Sequence, residues 1–221
     1  MQIIAIFLIL TLNLLSEEIP EQIKKSALIY QKDRNQIKNY RVSQDITSIT
    51  RSMGYETIEK RKQIGYFVSP NRYFFFTKER IINNSPLPVN DSSPEKSLKK
   101  DIEWLSVDGI KRFDFTLIQE GGSYLHYSVI PKQNTNESKG EIWINKETGK
   151  IIRMLKEPRT LKEGLEVFKT ELYFDVNFSY QEPSFTRLNA TFYENGKKVE
   201  TKVEVLFYDY QFNVDLGKLN N

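Results

Sequence analysis

Hydrophobic and polar residues alternate along most of the chain between Tyr40 and Tyr210. A period of two is typical of β-strands that bury one face, because successive side chains point to opposite sides of a sheet. The pattern is clearest in the segment Lys198–Tyr210, where charged residues at every second position continue as far as Glu204. The residues of the other parity share one face and are Val199, Thr201, Val203, Val205 and Phe207. The chain is therefore predicted to be mainly β.

Turn-forming residues divide this pattern into ten predicted strands. They are Tyr40–Arg51, Tyr55–Val68, Arg72–Lys78, Lys111–Gln119, Ser123–Ile130, Glu141–Asn145, Lys150–Leu155, Leu165–Phe178, Ser184–Tyr193 and Lys198–Tyr210. The best-defined hairpin contains Gly149, which can adopt the positive φ that a tight turn needs. We expect a single domain over residues 17–221, because all-β domains of this size are commonly undivided.

Two segments have the apolar stripe of an amphipathic helix. Pro20–Lys38 begins with a proline suited to a first helical turn, and Pro94–Leu105 follows a polar loop and a capping pattern. Each stripe is too narrow for a fully buried helix. We therefore expect both helices to cover the apolar face of a curved antiparallel sheet.

Alternation against charged neighbours also predicts which aromatic residues point inward. Arg72 and Lys78 assign Phe74 to the outer face, so that the neighbouring residues Tyr73 and Phe75 face inward. The same reasoning gives the candidate ligand-binding set Tyr73, Phe75, Phe115, Phe168, Phe174, Val205 and Phe207. These side chains either fill an ordinary core or line an apolar cavity, and the sequence supports both interpretations.

The first sixteen residues have the pattern of a signal peptide. The apolar run Ile3–Leu15 ends before Ser16-Glu17-Glu18 and is shorter than the roughly 20 residues of a membrane-spanning helix. We expect cleavage after residue 16 and an exported, soluble protein, with an uncleaved membrane anchor as the alternative. The chain has no cysteine, which excludes both disulfides and a lipidated N-terminal cysteine.

Composition and charge argue against several classes of function. The 221 residues carry 32 basic and 29 acidic side chains, interspersed, with a net charge of +3, so that we expect no nucleic-acid binding. His126 is the only histidine and is expected to have a structural or surface role, which leaves no catalytic triad and no zinc site. We expect a monomeric protein that is not an enzyme and uses no cofactor or metal.

Several segments together resemble a known family. They are Gly65–Tyr73, Tyr127–Lys132, Gly140–Arg153 and Tyr208–Asn213. The chain resembles the outer-membrane lipoprotein-sorting proteins, the LolA-like superfamily of periplasmic carriers and sensors. This resemblance implies an incomplete antiparallel β-barrel of about ten strands, with helices over an apolar cavity for lipoprotein acyl chains. The carriers have a basic residue before the proline of the second turn, where this sequence has Ser69.

The leading hypothesis is a periplasmic carrier that holds acyl chains of lipoproteins or other lipids and exchanges them with membrane-bound donor and acceptor proteins. The alternative is a regulatory or sensory module that uses the same fold to bind a protein partner. A hydrolase is the third possibility.

Overall fold

The computed structural model describes residues 19–89, 94–98, 103–106, 108–133 and 137–215. The helices and strands are α1 Glu21–Gln36, β1 Asn39–Ser52, β2 Tyr55–Val68, β3 Arg72–Ile82, β4 Ser85–Pro86, β5 Glu95–Leu98, a 3₁₀ turn Glu103–Leu105, α2 Gly109–Arg112, β6 Phe113–Glu120, β7 Tyr124–Pro131, β8 Ser138–Asn145, β9 Ile151–Pro158, β10 Leu165–Phe174, β11 Pro183–Glu194 and β12 Lys197–Phe212. The predicted signal peptide lies outside the described residues. Within them, no helix is long and apolar enough to span a membrane.

All strands belong to one antiparallel sheet with the order β4-β3-β2-β1-β12-β11-β10-β9-β8-β7-β6, and β5 pairs with the outer edge of β3. The mainly β class is confirmed. The sheet has 12 strands rather than the ten predicted, because the short strands β4 and β5 add to β3. The sheet remains open, since β6 pairs only with β7 among the described strands.

The sheet is strongly curved. Strands β3 and β10 are separated by four other strands, which would place them about 24 Å apart in a flat sheet at ~4.8 Å per strand. Yet Tyr73 of β3 and Leu172 of β10 border the same groove. The face that carries this groove is therefore concave, as the half-barrel prediction requires.

Helix α1 covers one half of the concave face. Its buried stripe includes Ile23, Ala27 and Tyr30, as the sequence pattern predicts, and it packs on strands β6–β10. The cluster beneath it is the main core, which contains Phe113, Phe115, Tyr127, Val129, Ile142, Ile144, Ile151, Met154 and Phe174. The other half of the concave face has no helix over it among the described residues.

The prediction of a second helix over Pro94–Leu105 is wrong. Residues Glu95–Leu98 form strand β5, because the edge of β3 offers unpaired backbone groups to this segment, and residues 99–102 lie outside the described residues. Only Glu103–Leu105 is helical, as a single 3₁₀ turn. Trp104 and Leu105 are nevertheless fully buried beneath α1, so that this part of the segment does cover the concave face.

Smaller differences concern strand ends. The strand predicted from Lys111 begins at Phe113, since Gly109–Arg112 forms the short helix α2. The strand predicted to end at Phe178 ends at Phe174, where a register shift interrupts its pairing with β11.

The hairpin between β8 and β9 is confirmed. Gly149 has φ +74°, and the Asn145 side-chain oxygen accepts a hydrogen bond from the Thr148 backbone N–H at 2.9 Å. The Ser26 hydroxyl of α1 donates to the Gly149 carbonyl at 2.6 Å. The turn therefore also fixes the position of the helix.

Gly140 is expected to tolerate no side chain. A Cβ atom there would lie 1.9 Å from the Leu155 carbonyl oxygen of the neighbouring strand, which is backbone and cannot rotate away. We expect Gly140→Ala to lower the free energy of unfolding by about 1–3 kcal/mol, as overpacked cores do. Urea unfolding followed by circular dichroism measures this loss. Gly122→Ala is the control, since nothing lies within 4 Å of a Cβ there, and an equal loss in both variants would contradict the assignment.

Candidate functional site

The uncovered half of the concave face forms an open groove of about 440 Å³. This volume falls in the range of roughly 300–1,000 Å³ that is typical of small-molecule sites. Strands β1, β2, β3, β5, β10, β11 and β12 border it, together with the loop before β11. The apolar part of the lining consists of Ile46, Phe75, Leu172, Pro183, Val205 and Phe207.

Four residues of the predicted set line this groove together, namely Tyr73, Phe75, Val205 and Phe207. Val205 lies opposite Ile46 of β1 and Thr186 of β11, so that it occupies the middle of the curved sheet.

The remaining predicted residues lie on the same concave face but outside the groove. Phe115 and Phe174 belong to the core beneath α1. Phe168 lies further along β10 and is 37% exposed. The parity of the prediction thus matches the strand register, while these three side chains are separated from the groove.

Aromatic side chains close one end of the groove. The ring of Tyr40 stacks on Phe67 with centroids 5.0 Å apart and meets Tyr73, Tyr210 and Phe212 edge-on at 6.0, 5.5 and 5.6 Å. Edge-to-face contacts of this kind stabilise a cluster beyond its buried area. These packed rings form the aromatic wall of the groove.

Two buried glutamines form a polar strip on the groove floor. The Gln44 amide donates to the Tyr73 hydroxyl at 3.1 Å, and the Gln63 amide donates to the Thr77 hydroxyl at 2.9 Å. Both glutamines are at most 5% exposed. The alternation in β1 could have located Gln44, because it shares the parity of Val42 and Ile46.

Glu182 was not predicted and lies at the aromatic end. Its side chain is 2% exposed, and its carboxylate accepts a long hydrogen bond of 3.4 Å from the Tyr40 hydroxyl. The Arg34 guanidinium of α1 lies 3.9 Å away and compensates the buried charge. Glu182 precedes β11 in a segment without periodicity, so that no sequence signal marks it.

Tyr40, Tyr73 and Tyr210 are expected to resist ionisation. Burial raises the pKa of each phenol, and the charge of Glu182 adds to this effect. In the unfolded chain they ionise near pH ~10, so that the folded state binds more protons above that pH. The contribution of these three phenols to the free energy of unfolding is therefore fully present below pH ~10 and decreases as the pH rises further. Phenolate absorbance should show these tyrosines titrating only on unfolding, whereas their titration in the folded protein would contradict the geometry.

The convex face carries ion pairs instead of an apolar lining. Arg153 pairs with Glu171 at 2.9 Å, and Arg187 pairs with Glu204 at 2.9 Å. His126 also lies on this face, with Nε2 at 2.8 Å from the Glu141 carboxylate and its ring 4.0 Å from Trp143. No cluster that could hold a metal occurs among the described residues. The convex side of these strands thus carries ion pairs, whereas the apolar groove lies on the concave side.

Comparison by sequence gives no match, either to a protein-family model or to a curated protein. Comparison by structure finds a structure from Vibrio parahaemolyticus described as an outer membrane lipoprotein-sorting protein domain, with TM-score 0.43 and 12% identity over 90% of this chain and 96% of that one. A DUF1329 family protein from Desulfovibrio piger gives TM-score 0.42 and 9% identity, again over 90% and 96%. The MucA/MucB complex of Pseudomonas aeruginosa gives TM-score 0.26 and 8% identity over 89% and 100%.

A structure with the description of the family that the sequence resembles is thus among those similar to this chain. All three structures have TM-scores below 0.5.

Proposed function

We propose that the protein is a non-enzymatic carrier that holds the acyl chains of lipids or lipoproteins in the concave groove. The observation that supports this most is an open, largely apolar groove between Val205, Phe207 and Ile46, without a helix over it in the described part of the chain. Such a surface is unfavourable in water unless something covers it.

Acyl chains are unfavourable in water, and an apolar groove can shield them from it. Each buried CH₂ group contributes roughly 0.8 kcal/mol, so that a lipid crosses an aqueous compartment only inside an apolar container. The groove follows β1 from Tyr40 to Ile46, about 20 Å at ~3.4 Å per residue. An extended chain would lie along this direction, and its far end would meet the aromatic wall.

We also propose a compartment and exchange partners for this carrier. With the N-terminal segment interpreted as a signal peptide, the carrier would act in the periplasm as a monomer and exchange cargo with membrane-bound donor and acceptor proteins. The open side of the groove suits such exchange, because a chain can leave without unfolding of the sheet.

The edge strand β6 supports a second candidate, an interaction module that binds a protein partner. Beyond its pairing with β7, no described strand covers its outer edge, and Leu117 and Ile118 are 48% and 53% exposed. An extended peptide could add to such an edge by backbone hydrogen bonds.

Native mass spectrometry of the full chain, purified without detergent, separates the two candidates. The carrier predicts a copurifying lipid, with one lipid per chain regained when the delipidated protein is mixed with palmitoyl lipid vesicles. A protein that stays free of lipid under both conditions would contradict the carrier, and a stable protein complex would then favour the module.

A further inference from the structure

The apolar groove adjoins a second space of about 380 Å³. The two spaces share Arg61, Phe75 and Glu95 in their linings, while Arg80, Pro88 and Val89 border only the second. Arg61 lies opposite Ile46 on β1, at the end of the groove away from the aromatic wall. A molecule lying in the groove would therefore meet Arg61 as it enters the second space.

The guanidinium of Arg61 is incompletely paired. Its Nε is buried without a hydrogen bond, and it lies 3.5 Å from a Glu59 oxygen. The same oxygen accepts a bond of 2.7 Å from Arg80 Nε, so that one carboxylate is shared between two guanidinium groups. Glu95, on β5, is exposed to water. The Arg61 and Arg80 side chains are 29% and 43% exposed, so that an anion could add the negative charge that one shared carboxylate does not supply to two guanidinium groups.

We propose that Arg61 and Arg80 bind the anionic group of an amphiphile whose acyl chain lies in the apolar groove. The ligand class is thus a single-chain or multi-chain lipid with a carboxylate or phosphate near the first carbons of its chain. The inference rests on the proposed carrier function and adds the position and charge of the head group.

Binding of three probes to the delipidated full chain tests this orientation: palmitate, palmitoyl lysophosphatidic acid and neutral monopalmitoylglycerol. We expect Arg61→Gln to weaken binding of both anionic probes by about tenfold, as loss of a charged hydrogen bond does. Binding of the neutral probe should stay nearly unchanged. Arg80→Gln should change binding in the same direction. Arg51→Gln is the matched control, since Arg51 also pairs with a glutamate, Glu56, but at the tip of a hairpin.

Comparison of palmitate with palmitoyl lysophosphatidic acid shows whether the arginines prefer a carboxylate or a phosphate. Competition by inorganic phosphate tests whether a free anion binds the two arginines without an acyl chain. An equal loss for anionic and neutral probes, or no loss for either, would overturn the head-group assignment while the carrier function stands. Failure of the wild-type protein to bind any probe would overturn the carrier function itself. Should Arg61→Gln fail to fold, salt provides the second test, because added salt must weaken only the anionic probes.

Discussion

Replacing Val205 with either lysine or glutamate is expected to abolish lipid binding while the sheet remains folded. Val205 lies between Ile46 and Thr186 in the middle of the groove, where an acyl chain would cover it. A charge covered by hydrocarbon without a partner costs several kcal/mol, which corresponds to a loss of binding beyond about a hundredfold. The sign of the charge should not matter. Lipid binding is measured with monopalmitoylglycerol, and folding is checked by circular dichroism.

Leu206→Lys is the control for these variants. Leu206 is the next residue of β12, is 49% exposed on the convex face and lies opposite Asp45, which a lysine would face favourably. We expect wild-type binding. Equal loss in the Val205 and Leu206 variants would mean that binding does not occur on the concave face, and retained binding in both folded variants would rule out the groove.

Trp104→Ala is expected to cause the largest loss of stability. Trp104 is 0% exposed beneath α1, its ring packs 6.3 Å from that of Phe113, and its indole N–H donates to the Ser138 carbonyl at 3.1 Å. Truncation of a fully buried tryptophan costs about 3–5 kcal/mol through lost burial and the cavity left behind. Urea unfolding monitored by circular dichroism measures this loss.

Trp143→Ala is the matched control, because Trp143 is the other tryptophan of the chain. It is half-buried on the convex face, where it stacks between His126 and the Arg153 guanidinium at 4.0 and 4.5 Å. We expect a loss of about 1 kcal/mol. A loss as large as that of Trp104→Ala would contradict the placement of the core beneath α1. Lipid binding by folded Trp104→Ala should persist, since Trp104 lies outside the groove.

Period-two alternation could predict the strands and their faces, because each long strand buries one side. Val205 and Phe207 were assigned correctly to the concave face for this reason. Alternation could not separate the groove from the core, since Phe115 and Val205 have the same pattern and differ only in what covers them. The cover is α1, and its position follows from long-range contacts such as that of Ser26 with Gly149.

Local patterns failed where pairing with a distant strand decided the structure. Glu95–Leu98 has helical spacing but forms a strand, because the edge of β3 gives its backbone a partner. Arg61 was also missed, since charge predicts an outward position and this residue lies on the concave face beside Ile46. Polar residues on an inward parity, such as Gln44 and Arg61, therefore distinguish the strands that line the groove from those of the apolar core beneath α1.

Photo-crosslinking with a fatty acid that carries a diazirine on its chain tests the central claim most directly. The labelled full chain is digested, and the modified residues are identified by mass spectrometry. The proposed carrier predicts adducts on concave residues of the groove, above all Val205, Phe207 and Phe75. Adducts concentrated on convex residues such as Leu206, or spread evenly over both faces, would contradict binding of acyl chains in the groove.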